Sequence, residues 1–215
     1  MQPVISLGPL SMSSYTAALT AAIGLSVCMG WRLWRGPART WGWISLCVLV
    51  GAVLGGRIAH VLAHWDYFQN AFDEALRLNG GGLDWWGAVL GGIGGAVLAS
   101  RLLRTPLVRI LDALTPALPL LMLAGALGCY AATCAYGAEI PVLAGVSPLM
   151  AVELPDVYGL LAPRYQTQLW TAGWALLLLA LTGLCYWRGW FRRWRFWLAL
   201  ALLTLGMVII GRYRA

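Results

Sequence analysis

Long apolar segments recur along this chain, and they constrain its fold more than any other feature. A hydrocarbon core about 30 Å thick needs about 20 apolar residues for one helical crossing. Hydrophobic residues make up 60% of the 215 residues and charged residues only 11%, whereas about a quarter of a soluble domain is charged. The sequence therefore predicts an all-α membrane protein whose helices cross the bilayer several times.

Six segments are long and apolar enough, or nearly so, to cross a bilayer. They occupy residues 13–31, 41–64, 83–100, 107–136, 168–187 and 196–210. We expect Pro116 and Pro119 to kink the fourth segment, because proline removes a helical hydrogen bond. The length fits one compact bundle, so residues 1–215 are interpreted as a single integral membrane domain. No cleavable signal peptide is predicted, since residues 1–14 contain no basic residue.

The arginines between these segments predict the orientation of the bundle. All 15 basic residues are arginines. Most of them follow the first, third and fifth segments, at positions 32, 35, 39, 101, 104, 109, 188, 192, 193 and 195. Loops rich in arginine face the cytoplasm, so the N-terminus is predicted to lie outside. With six spans the C-terminus also lies outside, which leaves Arg212 and Arg214 on the less favoured side. Because the arginines are dispersed among short loops, the net charge of +7 does not indicate nucleic-acid binding.

Arg57 lies inside the second apolar segment. A charged side chain there costs roughly 2.5–3.5 kcal/mol on insertion scales and normally has a partner or a function. His60 and His64 follow at spacings that place all three residues on one helix face, and Asp84 begins the third segment. Two structural alternatives stay open: an ion pair between Arg57 and Asp84, and histidines that simply extend to the membrane interface.

Arg164 and Gln168 lie at the start of the fifth segment. The predicted topology brings them to the same outer boundary as Arg57, His60, His64 and Asp84, where a polar cluster suits a phospholipid head group or a secreted partner. The sequence assigns no catalytic residue. No metal or other cofactor is predicted, because the chain has two histidines and both lie on one helix face.

The cysteines and the outer loops carry weaker signals. Five cysteines, at positions 28, 47, 129, 134 and 185, are scattered and mostly within apolar runs. A disulfide framework is therefore not expected. The outer loop 66–82 ends in three glycines, which predict a flexible hinge. Residues 138–167 form one long outer loop that is too apolar for a solvated linker.

Four segments in order resemble the bacterial prolipoprotein diacylglyceryl transferase family. GGRIAHVLAHWDYF (55–68) resembles its glycine–arginine helix, and GGGLDWWGAVLGG (80–92) resembles its glycine-rich motif. LDALTPALPLLMLAGALGCYAATCAYGAEIP (111–141) resembles its long Asp/Pro helix and signature, and APRYQTQLW (162–170) resembles its Pro-x-Gln-Leu motif. The resemblance implies a bacterial cytoplasmic membrane protein. It also implies transfer of the diacylglyceryl group of phosphatidylglycerol to a lipoprotein cysteine.

That chemistry requires cations to hold the phosphate and groups that donate and accept protons. At several positions this chain departs from the family pattern. Trp86 stands where the motif can carry His, and Ala126 stands at the signature arginine. Cys129 and Cys134 occupy the Asn and Glu positions. In the last span Tyr-Gly-x-x-Arg becomes Leu-Gly-Met-Val-Ile. Arg57 and Gln168 persist.

These departures predict a relative with reduced catalysis that binds membrane phospholipid as a scaffold, or as a subunit with protein partners in a larger membrane complex. The alternative is an active, divergent transferase.

Overall fold

The computed structural model describes residues 4–7, 10–77, 82–141, 146–155 and 159–214. The elements within these residues, in chain order, are β1 (Val4–Leu7), β2 (Leu10–Ser13), α1 (Ser14–Leu33), α2 (Ala38–Ala63), α3 (Trp65–Phe68), α4 (Phe72–Ala75), α5 (Trp85–Leu102), α6 (Leu107–Leu114), α7 (Ala117–Ala131), β3 (Ala151–Pro155), β4 (Leu161–Tyr165), α8 (Thr167–Arg188) and α9 (Arg195–Gly211). The predominance of helix confirms the helical class. The antiparallel hairpins β1–β2 and β3–β4 are additions that the all-α prediction lacked.

The chain packs as two compact units, described here one at a time. The first unit comprises Met1–Gly30 and Leu114–Ala215, and the second comprises Trp31–Ala113. The interpretation as a single domain stays a prediction.

Four helical stretches are long and apolar enough to cross a membrane: Ser14–Leu33, Ala38–Ala63, Leu107–Ala131 and Thr167–Arg188. They match the first, second, fourth and fifth predicted spans. The helix α9 is apolar but shorter, and α5 is not among the four. A membrane protein is therefore supported, while six crossings and the outward N-terminus remain predictions.

Within the second unit, α2 and α5 pack with their backbones in close contact. A Cβ atom added at Gly51 or Gly91 would overlap the other helix's backbone, and the same holds for Gly55 and Gly95. These glycines recur every four residues, so they form a continuous small-residue face on each helix. In lipid, such faces bring helices together through van der Waals contact. The packing fixes the end of α2, which carries Arg57, against the start of α5.

The fourth predicted span is interrupted in the middle. The helix α6 ends at Leu114, and α7 begins at Ala117, with Pro116 as its N-cap residue. Proline has no N–H to continue the hydrogen-bond ladder, so the predicted break occurs at this residue. The helix α7 ends at Ala131, five residues before the end of the predicted span, whose bounds stay a prediction.

A disulfide joins Cys129 and Cys134 where α7 ends. The expectation of no disulfide was therefore wrong for this pair. The disulfide forms for a local reason. The chain leaves the helix at Ala132 and turns back, so that the Cys134 N–H donates to the Cys129 carbonyl at 2.9 Å. Cys28 is free and exposed, while Cys47 and Cys185 are free and half-buried.

The hairpin β3–β4 lies in the segment that was predicted as one long outer loop. Its register pairs Ala151 with Tyr165 and Pro155 with Leu161. The other edge of β4 binds the chain that follows the disulfide, since the Ile140 N–H donates to the Pro163 carbonyl at 2.9 Å. These pairings attach the hairpin to the chain that follows α7 in the first unit.

Candidate functional site

Arg57, in the last two turns of α2, binds backbone carbonyl groups of the segment that follows α3. Its Nε donates to the Ala75 carbonyl at 2.9 Å, and its Nη1 donates to the Gly82 carbonyl at 3.1 Å. Its Nη2 donates to the carbonyls of Glu74 at 2.6 Å and Arg77 at 2.9 Å. Carbonyls at a helix C-terminus have no partner within the helix. Arg57 therefore caps the end of α4 and holds the connection to α5.

Two further features fix the Arg57 guanidinium in the second unit. It lies over the buried Phe68 ring, with 5.4 Å from Cζ to the ring centroid. Gly82 has a φ of +78°, and a Cβ at this position would lie 2.9 Å from Nη1 of Arg57 and 2.5 Å from Nε2 of His60. Glycine is thus required both by the backbone conformation and by the space. Gly82 was predicted as part of a hinge; Gly80 and Gly81 lie outside the described residues.

His60 and His64 lie beside Arg57 on the same helix face, as predicted. Their ring centroids are 4.5 Å apart, and the ring of His60 also contacts Phe68 edge-on at 5.9 Å. Nδ1 of His64 lies 3.0 Å from the His60 carbonyl oxygen, a hydrogen bond that requires the proton on Nδ1. His60 is half-buried and His64 is exposed.

Asp84 is the N-cap residue of α5. Its Oδ1 accepts a hydrogen bond from the Gly87 N–H at 2.8 Å, which satisfies one of the free donors at the helix start. Its own N–H donates to the Gly56 carbonyl at 3.0 Å. The structure thus gives the Asp84 carboxylate a capping function and gives Arg57 a set of carbonyl acceptors. The alternative of an ion pair between Arg57 and Asp84 predicted neither of these arrangements.

Arg164 on β4 is a buried cation in the first unit. Its Nη2 forms an ion pair with Oε1 of Glu139 at 2.5 Å, and its guanidinium lies over the Tyr136 ring at 4.7 Å. The Arg164 side chain is 7% exposed while that of Glu139 is 63% exposed. Glu139 was not among the predicted site residues, because its pairing with Arg164 depends on strand register between residues 25 positions apart.

Gln168 lies in the first turn of α8 and binds the turn that the Cys129–Cys134 disulfide closes. Its Nε2 donates to the Cys134 carbonyl at 3.0 Å, and the neighbouring Thr167 hydroxyl donates to the Ala135 carbonyl at 2.9 Å. Thr133 and Ala135 both have a φ of +53°, which is uncommon for residues other than glycine. The start of α8 therefore supports a turn of unfavourable backbone conformation.

The region around the start of α8 also contains buried polar atoms. Oε1 of Gln166 and Oε1 of Gln168 are buried and accept no hydrogen bond within the part of the chain that the structure describes. Arg214 approaches from the chain end, and its Nη2 lies 3.5 Å from the Thr171 hydroxyl. Burial lowers the pKa of Arg214. From the sequence, Arg214 was predicted only as a charge on the less favoured side of the membrane, because no local pattern indicates its contact with α8.

The predicted site residues thus fall into two groups that can be described separately. Arg57, His60, His64 and Asp84 lie together in the second unit, whereas Arg164 and Gln168 lie in the first. Each group supplies a cation within a network of hydrogen bonds. The prediction that all six form one cluster stays a prediction.

Comparison with known proteins gives a consistent result. The profile of the family described as "Prolipoprotein diacylglyceryl transferase" matches residues 2–215. The phosphatidylglycerol–prolipoprotein diacylglyceryl transferase of Mycobacterium leprae is 38% identical over 140 residues, which are 62% of this chain and 42% of that protein. The transferase of Thermus thermophilus is 36% identical over 132 residues, or 58% of this chain and 46% of that protein.

A further relative, the transferase of the same description from Rhodococcus jostii, is 34% identical over 148 residues. These residues are 66% of this chain and 41% of the relative. The chain therefore aligns with less than half the length of each of these three curated relatives.

Proposed function

Because the chain belongs to the prolipoprotein diacylglyceryl transferase family, we propose that it is a phospholipid-binding membrane protein of that family that does not catalyse diacylglyceryl transfer. Its function is that of a scaffold or subunit in a larger complex of the bacterial cytoplasmic membrane. The proposal includes six crossings with the N-terminus outside, as the distribution of arginines predicts.

The observation that carries the non-catalytic part of this proposal is the set of hydrogen-bond acceptors around Arg57. A guanidinium that holds a phosphate uses its N–H groups in paired hydrogen bonds to the phosphate oxygens. In this chain Nε, Nη1 and Nη2 of Arg57 donate to four backbone carbonyls. Binding a phosphate in the plane of the guanidinium would leave some of these carbonyls without a donor. The arrangement supports a structural function for Arg57.

The disulfide supports the same proposal. By resemblance, Cys129 and Cys134 occupy positions at which the family carries Asn and Glu. Joined to each other, their sulfur atoms can neither accept a proton nor attack as a thiolate. Ala126, at the position of the signature arginine, is a buried apolar residue of α7. None of these three positions therefore supplies the cation or the base that transfer requires.

The alternative is an active transferase, and the description of the relatives as phosphatidylglycerol–prolipoprotein diacylglyceryl transferases favours it. In that case Arg164 or Arg212 would have to supply the missing cation. Arg164 already forms an ion pair with Glu139, whereas Arg212 is exposed.

The test is an assay of the purified chain in nanodiscs with head-group-labelled phosphatidylglycerol and a peptide that carries a lipoprotein cysteine. We expect phosphatidylglycerol to bind without release of labelled glycerol phosphate. A diacylglyceryl-modified peptide, formed by the wild type and lost in Arg164→Gln or Arg212→Gln, would overturn the proposal. Purification of the native protein from its membrane tests the second part, because a scaffold or subunit should be recovered with stoichiometric partners.

A further inference from the structure

The connector between α8 and α9 combines exposed arginines with exposed aromatic side chains. We call residues 187–194 the arginine–tryptophan connector; their sequence is WRGWFRRW. Three arginines in it, Arg188, Arg192 and Arg193, are exposed. The exposed fractions of its aromatic residues are 78% for Trp187, 49% for Trp190, 57% for Phe191 and 64% for Trp194. The connector contains no acidic residue, so its surface is cationic and apolar at the same time.

The position of the connector relates this surface to a bilayer. It follows α8, which is long and apolar enough to span a membrane, and precedes the apolar α9. These two helices pack against each other, since the Trp174 indole N–H donates to the Leu202 carbonyl at 3.1 Å. A connector between two packed apolar helices lies at the membrane–water interface, where amphipathic indole rings are preferred.

Local hydrogen bonds hold the connector in a defined shape. Gly189 has a φ of +71° and ends α8, with the Trp190 N–H donating to the Cys185 carbonyl at 2.9 Å. The buried Arg195 then binds back, because its Nε donates to the Trp190 carbonyl at 2.6 Å. The guanidinium of Arg195 also lies over the Tyr186 ring at 4.4 Å. Arg195 thus has a structural function that the three exposed arginines do not share.

The exposed arginines are available to an anion. Within the described part of the chain, the ion pairs are Arg77–Asp73 and Arg164–Glu139, so no carboxylate neutralises the connector. The Arg188 guanidinium lies 5.0 Å from the Trp187 ring centroid and 5.6 Å from that of Trp190. Contact with the rings limits the directions that the side chain can take and leaves N–H groups able to bind oxygen.

We propose that the arginine–tryptophan connector binds the phosphate groups of anionic phospholipids in the leaflet at this end of α8. The indole rings enter the interfacial layer, and Arg188, Arg192 and Arg193 bind the phosphate oxygens. Basic residues next to a span attract anionic lipid in this way. The inference rests on the membrane-protein part of the proposed function and does not depend on whether the chain transfers a diacylglyceryl group.

The experiment uses full-length protein in a non-ionic detergent and three probes: dihexanoyl phosphatidic acid, dihexanoyl phosphatidylcholine and inorganic phosphate. Phosphatidic acid lacks the glycerol head group of phosphatidylglycerol, so its binding does not report on a transferase substrate site. The test variant is R188Q/R192Q/R193Q. The matched control is R32Q/R35Q/R39Q, which removes the same charge from exposed positions elsewhere in the chain.

We expect wild-type protein to bind phosphatidic acid more tightly than phosphatidylcholine in isothermal titration calorimetry. The test variant should bind it about 100-fold more weakly, because each arginine near an anionic surface contributes about 1 kcal/mol and each 1.4 kcal/mol is tenfold. The control variant and R188K/R192K/R193K should retain most of the affinity. Equal losses in both glutamine variants, no preference for phosphatidic acid, or equally tight binding of inorganic phosphate would overturn the proposal.

Discussion

Arg57 shows how a charge within an apolar helix can be retained for a structural reason. The sequence predicted that this residue needs a partner, because an isolated charge in a bilayer is costly. It could not predict the partners, since carbonyl groups belong to every residue and carry no sequence signal. The acceptors lie 17 to 25 positions further along the chain, and only the fold of α3 and α4 brings them to the guanidinium.

Replacement of Arg57 tests this structural function. In Arg57→Ala, four carbonyls lose a charged donor. A hydrogen bond to a charged group contributes about 1.5–3 kcal/mol, and partial exposure reduces the sum, so we expect a loss of about 2–4 kcal/mol in the free energy of unfolding. Unfolding in mixed detergent micelles, followed by circular dichroism, measures it. Arg77→Ala is the control, because the Arg77 side chain forms an exposed ion pair with Asp73 and should change stability by less than about 1 kcal/mol. Equal effects of the two substitutions would contradict a structural function for Arg57.

In the helix pair α2–α5, glycines four residues apart on each helix allow close packing, and each glycine face meets the backbone of the other helix. We predict that Gly91→Ala destabilises the protein by about 1–3 kcal/mol, because its methyl group would overlap the Gly51 carbonyl. Gly94→Ala is a matched control on α5, since a Cβ there meets no atom within 4 Å. It should be neutral, or stabilising by up to about 1 kcal/mol. Thermal unfolding of both variants measures the difference, and a Gly91→Ala protein as stable as Gly94→Ala would exclude the backbone contact.

The turn between α7 and β3 was the element least encoded. Two cysteines five positions apart near a helix end are compatible with several conformations, and only the departure of the chain from the helix at Ala132 brings them together. We predict that unfolded, non-reduced protein exposes three alkylatable thiols and that reduced protein exposes all five. Closure of this short loop should stabilise the fold by about 2 kcal/mol. Mass spectrometry after alkylation counts the thiols, and five reactive thiols before reduction would exclude the disulfide.

At the scale of the whole molecule, length and apolar composition predicted the helical class, and four of the predicted spans coincide with helices long and apolar enough to cross a membrane. The spans at α5 and α9 remain predictions, because α9 rises only about 26 Å at 1.5 Å per residue and α5 contains five glycines and Arg101. The hairpin β3–β4 was not predicted, because its strands contain Pro155 and Pro163. In a sequence, prolines usually indicate a loop rather than a strand. The family was predictable from four motifs in order. The order of the motifs alone does not assign the function of the family members to this chain, because several motif positions carry different side chains.

Complementation in a bacterial strain depleted of its own diacylglyceryl transferase tests directly whether this chain is a non-catalytic family member. Wild-type chain is expressed there, and the mobility and mass of a reporter lipoprotein show whether its cysteine has been modified. We predict a correctly inserted, abundant protein and a reporter that stays unmodified. Diacylglyceryl modification of the reporter by this chain would contradict the proposal of a non-catalytic family member.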